Sequence, residues 1–130
     1  MRTSSIRTGG WASGMHSSRS NELIVPVART SLPTVVMVNL LRLLTKAGAE
    51  VQVIQTPSAR RFIGPATFAA LSHRSVPSDV FDEPERVVHV ELARWADLVI
   101  VAPATAHILA QMRAGLSGDL VSSTLLTTRA

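Results

Sequence analysis

Apolar residues recur along the chain in two patterns, short continuous runs and longer stretches with helical spacing. The short runs are residues 23–28 (LIVPVA), 51–54 (VQVI) and 98–102 (LVIVA). Runs of this length that are rich in β-branched residues are typical of strands buried on both faces. Between the first two runs, apolar residues stand at Met37, Leu40, Leu41 and Leu44. Because these positions are i, i+3, i+4 and i+7, they predict an amphipathic helix.

Start and end signals bound this helix and predict others. Ser31 and Pro33 suit its first turn, and Gly48 suits its C-terminal cap. Residues 72–88 contain two prolines and four acidic residues, which predicts a loop with at most a short strand. Further helices are predicted over residues 59–71, 89–95 and 105–114, and from a cap at Asp119 through Leu126.

Strands that alternate with helices and are apolar throughout predict a parallel sheet with helices on both faces, a three-layer α/β fold. Ligands of such sheets bind at the carboxyl ends of the strands, which here are residues 28–31, 56–58 and 102–106. Only three strong strands are predicted, so an edge of the sheet is left open. We expect the sheet to be incomplete at its C-terminal side. A partner subunit or a strand that this chain lacks would complete it, and we favour the second interpretation, a fragment.

Residues 1–22 differ in composition from the rest of the chain. They are rich in Ser, Arg and Gly, and residues 1–21 contain no acidic residue. We predict a disordered tail here, although a transit peptide or a start codon assigned too early would have the same composition. Residues 23–130 are predicted to form one folded domain.

Composition and charge exclude several classes of protein. With 46% apolar and 17% charged residues in 130, the chain is not wholly disordered. The net charge is +4, but the twelve arginines are scattered and only 4% of residues are aromatic, so we expect no nucleic-acid partner. No apolar run approaches the roughly 18 residues of a membrane span. The chain has no cysteine, and a reduced cytoplasm is therefore the expected location.

Generic motifs indicate no nucleotide-binding loop and no metal site. Neither GxxxxGK[ST] nor GxGxxG occurs. Residues 89–91 (HVE) match half of a zinc deaminase signature, but the cysteines of its second half are absent. Ser31, between a strand and a helix, suits an anion but also an ordinary N-cap. On local sequence alone, His89 is also consistent with a packed or surface histidine.

Several segments together resemble the flavin-dependent cysteine decarboxylases, which include phosphopantothenoylcysteine decarboxylases and peptidyl-cysteine decarboxylases. The clearest are residues 89–97 (HVELARWAD) and 102–106 (APATA). The others, in the same order as in the family, are residues 40–51, 56–59, 67–72 and 118–126. The resemblance covers the chain from about Ile24 to Ala130.

The resemblance implies a flavodoxin-like (Rossmann-type) fold, FMN at the strand ends, and a homotrimer or higher oligomer with the flavin near subunit interfaces. It implies a carbon–carbon lyase that oxidatively decarboxylates a cysteine carboxylate, either a small molecule of coenzyme A biosynthesis or a peptide C-terminus. His89 stands at the catalytic histidine of the family, and Ser31 at the serine near the flavin phosphate. The cofactor-binding residues it implies are Thr30, Ser31, Leu32, Thr56, Ser58, Ala104, Thr105, Ala106 and His107.

Departures from the family pattern keep other interpretations open. Thr30 stands where the family has glycine, and His107 stands where it has an asparagine that assists decarboxylation. The family also continues beyond Ala130 with further substrate-binding segments. The alternatives are a non-catalytic flavin-binding or regulatory homologue and an inactive fragment of such a decarboxylase. A flavin prenyltransferase is a further interpretation, which the pattern of residues 89–97 disfavours.

Overall fold

A computed structural model describes residues 20–25, 32–80 and 87–130 of the chain. The strands are β1 (Asn21–Val25), β2 (Glu50–Val53) and β3 (Leu98–Val101). The helices are α1 (Leu32–Lys46), α2 (Pro65–Ser72), α3 (Val88–Trp95), α4 (Ala106–Ala114) and α5 (Leu120–Thr127), and a 3₁₀ turn (Ala59–Arg61) follows β2. This order confirms the predicted alternation of strands and helices.

The three strands form one parallel sheet in the order β2-β1-β3. Glu22 of β1 pairs with Val51 on one side and with Leu98 on the other. Within the described residues, β3 is paired along one edge only. The prediction of a narrow parallel sheet with an open edge is therefore confirmed.

The first strand begins earlier than predicted. Its described part is Asn21–Val25, so it starts two residues before the predicted start at Leu23. Residues 26–28 of the predicted strand lie outside the described residues. Two residues of the predicted tail thus lie in or at the start of the sheet, while residues 1–19 and 26–31 lie outside the described part of the chain.

The helix predicted over residues 59–71 is two separate elements. The 3₁₀ turn ends at Arg61, and α2 begins at Pro65 as its first residue. Proline has no N–H for a helix that continues through it, and its ring clashes with the preceding turn. Gly64 before it is extended, with φ −67° and ψ 150°, as expected of a residue that precedes proline.

Gly48 ends α1 as predicted. Its φ is +90°, which a residue with a Cβ rarely adopts. The N–H of Gly48 donates to the Thr45 carbonyl at 3.1 Å, and the N–H of Ala49 donates to the Leu44 carbonyl at 3.1 Å. These two bonds form a Schellman motif, which brings the chain directly into β2.

Two buried clusters cover the two faces of the sheet. One packs α1 and α2 against β2 and is made of Met37, Leu41, Val51, Val53 and Phe68. The other packs α3, α4 and α5 against the opposite face and is made of Leu23, Ile54, Val88, Ala96, Ile108, Leu120 and Val121. Val51 and Val53 of β2 point into the first cluster, as the two-residue repeat of a strand requires, and Ile54, directly after β2, belongs to the second. The domain therefore has the three layers predicted for it.

Candidate functional site

The carboxyl ends of the strands lie at one edge of the sheet, because all three strands are parallel. α3 reaches this edge with its first residues. Its far end lies at the amino edge, where the Asn21 side-chain amide donates to the Trp95 carbonyl at 3.0 Å. His89 is the second residue of α3 and precedes Trp95 by six residues, or about 9 Å along the helix axis. His89 therefore lies at the end of α3 that is nearer the carboxyl edge.

Three buried side chains bring the predicted site segments together. Ile54 follows β2, Val88 begins α3 and Ile108 lies in the first turn of α4, and all three belong to one core cluster. Thr56 and His89 are within two positions of these side chains in sequence, and Thr105 is three positions from Ile108. The three segments therefore pack on one face of the sheet, and the β2 loop and the start of α4 lie at its carboxyl edge because they follow β2 and β3.

His89 carries a buried nitrogen that the described residues leave unpaired. The side chain is half-buried, and its Nδ1 has no hydrogen-bond partner in the described part of the chain. Buried polar atoms in proteins are rarely unpaired. An imidazole nitrogen in this condition is suited to exchange a proton with a group that binds beside it.

The loop after β2 is held by its own hydrogen bonds. The buried Thr56 hydroxyl accepts from the Ala59 N–H at 3.2 Å, and the Thr56 carbonyl accepts from the Arg60 N–H at 3.3 Å. Ser58 is exposed, and its side chain makes no capping hydrogen bond to the 3₁₀ turn. Thr56 therefore shapes the loop, whereas Ser58 presents a hydroxyl at its surface.

The start of α4 presents backbone N–H groups at the same edge. Thr105 is the N-cap, and its Oγ1 accepts from the Ile108 N–H at 3.4 Å. Ala106 and His107 are exposed in the first turn, whose N–H groups precede the first intrahelical bond. Together with the positive end of the helix dipole, they favour an anionic or electron-rich group. Ala104 is also exposed beside them.

Part of the predicted cofactor site lies outside the described residues. Thr30 and Ser31 fall in this part, and Leu32 is described only as the first backbone position of α1. Their predicted contact with a flavin phosphate stays a prediction.

Two buried polar side chains near the β2 loop were missed by the sequence analysis. Gln55 is 1% exposed, and its Oε1 has no partner among the described residues. The Arg60 guanidinium donates from Nη2 to the Pro77 carbonyl at 3.0 Å. Its buried Nε has no hydrogen-bond partner among the described residues. The available signal for Gln55 was a glutamine directly after the apolar run of residues 51–54. Nothing in the sequence marked Arg60.

A cavity of about 390 Å³ lies between α3 and the segment that follows α2, and none of the predicted site residues lines it. At its wall, the Arg74 guanidinium lies 4.8 Å from the centroid of the Trp95 ring and 2.7 Å from a Glu50 carboxylate oxygen. These contacts fix the segment between α2 and α3 against the sheet.

The described ranges hold neither a metal-binding cluster nor a membrane-spanning helix. No group of three His, Asp or Glu residues there is placed to hold a metal ion. None of the helices described is both long and apolar enough to cross a bilayer.

Curated relatives are found among proteins of coenzyme A biosynthesis. The bifunctional protein CoaBC of Mycobacterium bovis is 54% identical over 88 residues, which make up 68% of this chain and 21% of that protein. The CoaBC protein of Bacillus subtilis is 47% identical over 89 residues, 67% of this chain and 22% of that protein. The chain therefore spans about a fifth of the length of these relatives.

Solved structures share the fold. The FMN-dependent cysteine decarboxylase SpaF superposes with a TM-score of 0.72 at 25% identity, over 87% of this chain and 65% of that one. MrsD from Bacillus sp. HIL-Y85/54728 superposes with a TM-score of 0.70 at 28% identity, over 85% of this chain and 63% of that one. These likenesses confirm the flavodoxin-like three-layer fold.

The family profile covers most of the chain. Residues 13–130 match the Flavoprotein family, and this range includes all the segments from which the resemblance was inferred, from residues 40–51 to residues 118–126. The chain therefore belongs to the Flavoprotein family.

Proposed function

We propose that this chain provides the site for FMN-dependent oxidative decarboxylation of a cysteine carboxylate. The observation that carries the proposal is His89, whose buried Nδ1, unpaired among the described residues, lies in the first turn of α3 at the carboxyl edge. Membership of the Flavoprotein family and the likeness to an FMN-dependent cysteine decarboxylase support it.

The residues at this edge fit a flavin nucleotide. Ser58, Ala104 and Ala106 are small and exposed, so they leave room for a planar ring. The N–H groups of Ala106 and His107 suit the electron-rich carbonyls or the phosphate of such a ligand. We infer that Thr56, Ser58 and residues 104–107 line the flavin, and that Thr30, Ser31 and Leu32 hold its phosphate.

The protein's own part in the reaction is to position the reactants and move a proton. A bound flavin would supply the two-electron oxidant for the cysteine side chain, after which a β-thioxo acid loses carbon dioxide readily. His89 is placed to take or return the proton that this chemistry displaces, because its ring is half-buried and Nδ1 is unpaired within the described structure. Packing of Val88 into the core holds the ring in place.

We infer a small cysteine-containing substrate of the phosphopantothenoylcysteine type. The CoaBC relatives are 54% and 47% identical to this chain, whereas SpaF and MrsD are 25% and 28% identical. A peptide with a C-terminal cysteine is the competing substrate. A cytoplasmic location stays a prediction.

We also infer that the chain works as a homotrimer or a higher oligomer. α4 exposes Leu109 and Met112, with 52% and 40% of each residue accessible, and Leu116, just beyond the end of the helix, is 56% accessible. Leu109 and Met112 are three positions apart, so they form an apolar stripe on one face of the helix that begins beside the candidate site. A second copy packed on this stripe would bury it and close the site from one side. The molecular mass of the protein in solution tests whether such an oligomer forms.

The proposal is tested by replacing His89 with asparagine in the whole chain. His89→Asn is expected to retain FMN, measured by its visible spectrum, and to lose carbon dioxide release from phosphopantothenoylcysteine. The matched control is His73→Asn, because His73 is an exposed C-cap with a φ of 57° that asparagine tolerates. Full turnover by His89→Asn would remove the proposed role.

A second candidate function is that of a non-catalytic flavin-binding homologue. His107, exposed in the first turn of α4, favours it because histidine replaces the amide expected there. Bound FMN without carbon dioxide release from either substrate would support this candidate. Recovery of turnover in His107→Asn would instead support a decarboxylase whose site has diverged.

A further inference from the structure

Gln55 is a buried amide at the carboxyl edge of the sheet. It is the second residue after β2 and is 1% exposed. Gln55 lies on the same side of the sheet as Val53, because its amide bonds the Ile63 carbonyl and Ile63 packs against the cluster beneath α1 and α2 that contains Val53. α1 begins at this same edge and on this same face.

The orientation of the amide follows from its one hydrogen bond. Nε2 donates to the Ile63 carbonyl at 3.0 Å. A carbonyl can only accept, so the NH₂ group must face Ile63 and Oε1 must face the other way. Oε1 is buried and has no partner among the described residues.

The loop around Gln55 does not supply a partner for this oxygen from Thr56. The Thr56 hydroxyl and carbonyl are both engaged within the loop, with Ala59 and Arg60. An apolar side chain would fill the same space without burying an unpaired oxygen, which is costly in a protein interior. The oxygen therefore needs a hydrogen-bond donor that the described residues do not supply.

We propose that Gln55 is a ligand-binding residue whose Oε1 accepts a hydrogen bond from a donor group of the flavin nucleotide, a ribityl hydroxyl or a ring N–H. This inference rests on the proposed function, since it takes FMN as the ligand of the carboxyl edge. Gln55 thus joins Thr56 and Ser58 as a flavin-binding residue. It would accept a hydrogen bond from the flavin nucleotide, whereas the N–H groups at the start of α4 would donate to it.

The test measures FMN affinity of the whole chain and of Gln55→Met, a variant of similar volume without the acceptor. We expect FMN to bind about tenfold more weakly to Gln55→Met, as for the loss of one buried hydrogen bond. The matched control is Gln52→Met. Gln52 is also buried and donates to the Ser75 carbonyl at 2.7 Å, but it lies within β2, paired with Leu23, and not in the loop that carries the site residues, so this change should lower the melting temperature and leave the affinity within about twofold.

A second measurement uses the wild-type chain and does not depend on how the variant folds. The ¹³C resonance of the Gln55 side-chain carbonyl should shift on saturation with FMN, while those of Gln52 and Gln111 stay in place. An unmoved Gln55 resonance, or equal FMN affinity in Gln55→Met, overturns the inference and leaves the proposed function standing. Failure of the wild-type chain to bind FMN overturns both.

Discussion

Asn21 and Asp97 donate a hydrogen bond to each other across the amino edge of the sheet. The Asn21 N–H donates to Asp97 Oδ2 at 3.0 Å, and the Asp97 N–H donates to the Asn21 carbonyl at 2.8 Å. The Asn21 side chain adds a bond to the Trp95 carbonyl at the end of α3. A residue at the start of the sheet thus ties together β1, β3 and the helix that carries His89.

Replacing the Asn21 side chain should therefore weaken the fold. Asn21→Ala loses the bond to the Trp95 carbonyl, and we expect a free energy of unfolding lower by about 1 kcal/mol. Urea denaturation checks this. Asn39→Ala, an exposed position on α1, is the control and should be unchanged or slightly more stable, since alanine favours helix. Equal stability of Asn21→Ala and wild type would show that the side-chain bond contributes nothing.

Glu22 should make the free energy of unfolding depend on pH. Burial raises the pKa of its carboxyl above the usual 4.5, and the hydrogen bond from the Ser20 hydroxyl opposes this effect. Since the folded-state pKa is the higher one, the stability that this group contributes is fully present below pH 4.5 and is lost as the pH rises through the folded-state value.

Glu22→Gln removes the charge and therefore this pH dependence. At pH 7 the variant should unfold at a higher urea concentration than the wild type, and the difference should shrink as the pH falls toward 4.5. Denaturation curves at several pH values give the comparison. A difference that is constant with pH would mean that ionisation of Glu22 is not its cause.

Thr105 links the stability of α4 to ligand binding. Its Oγ1 caps the helix at the Ile108 N–H, so Thr105→Ala should destabilise the protein by about 1 kcal/mol. Because the same turn presents the N–H groups of Ala106 and His107, FMN should also bind more weakly. Thr105→Ser retains the oxygen and is expected to restore both properties. Calorimetry with and without FMN separates the two effects.

The break between the 3₁₀ turn and α2 was not predicted, although Pro65 marks it in the sequence. The turn residues 56–58 predicted the start of one helix over residues 59–71, but Pro65 interrupts it. The information was present in the sequence, because proline ends a helix through its own covalent geometry. The bond from Gln55 to the Ile63 carbonyl lies in this interruption, and its existence could not be predicted from spacing.

The sequence by itself determined the features that depend on neighbouring residues. The apolar runs of β2 and β3, the cap at Gly48 and the cap at Asp119 each depend on a few consecutive positions. The ordered motifs from residues 40–51 to 118–126 were also enough to indicate the family.

Only the tertiary structure decided which distant residues meet. Such contacts set the strand order β2-β1-β3 and the place of Asn21 in the sheet. They also bury the Gln55 oxygen without giving it a partner among the described residues. Asn21 and Asp97, for example, are separated by 76 positions. The free energy of such contacts comes from burial and pairing in the folded core, which local propensity does not contain.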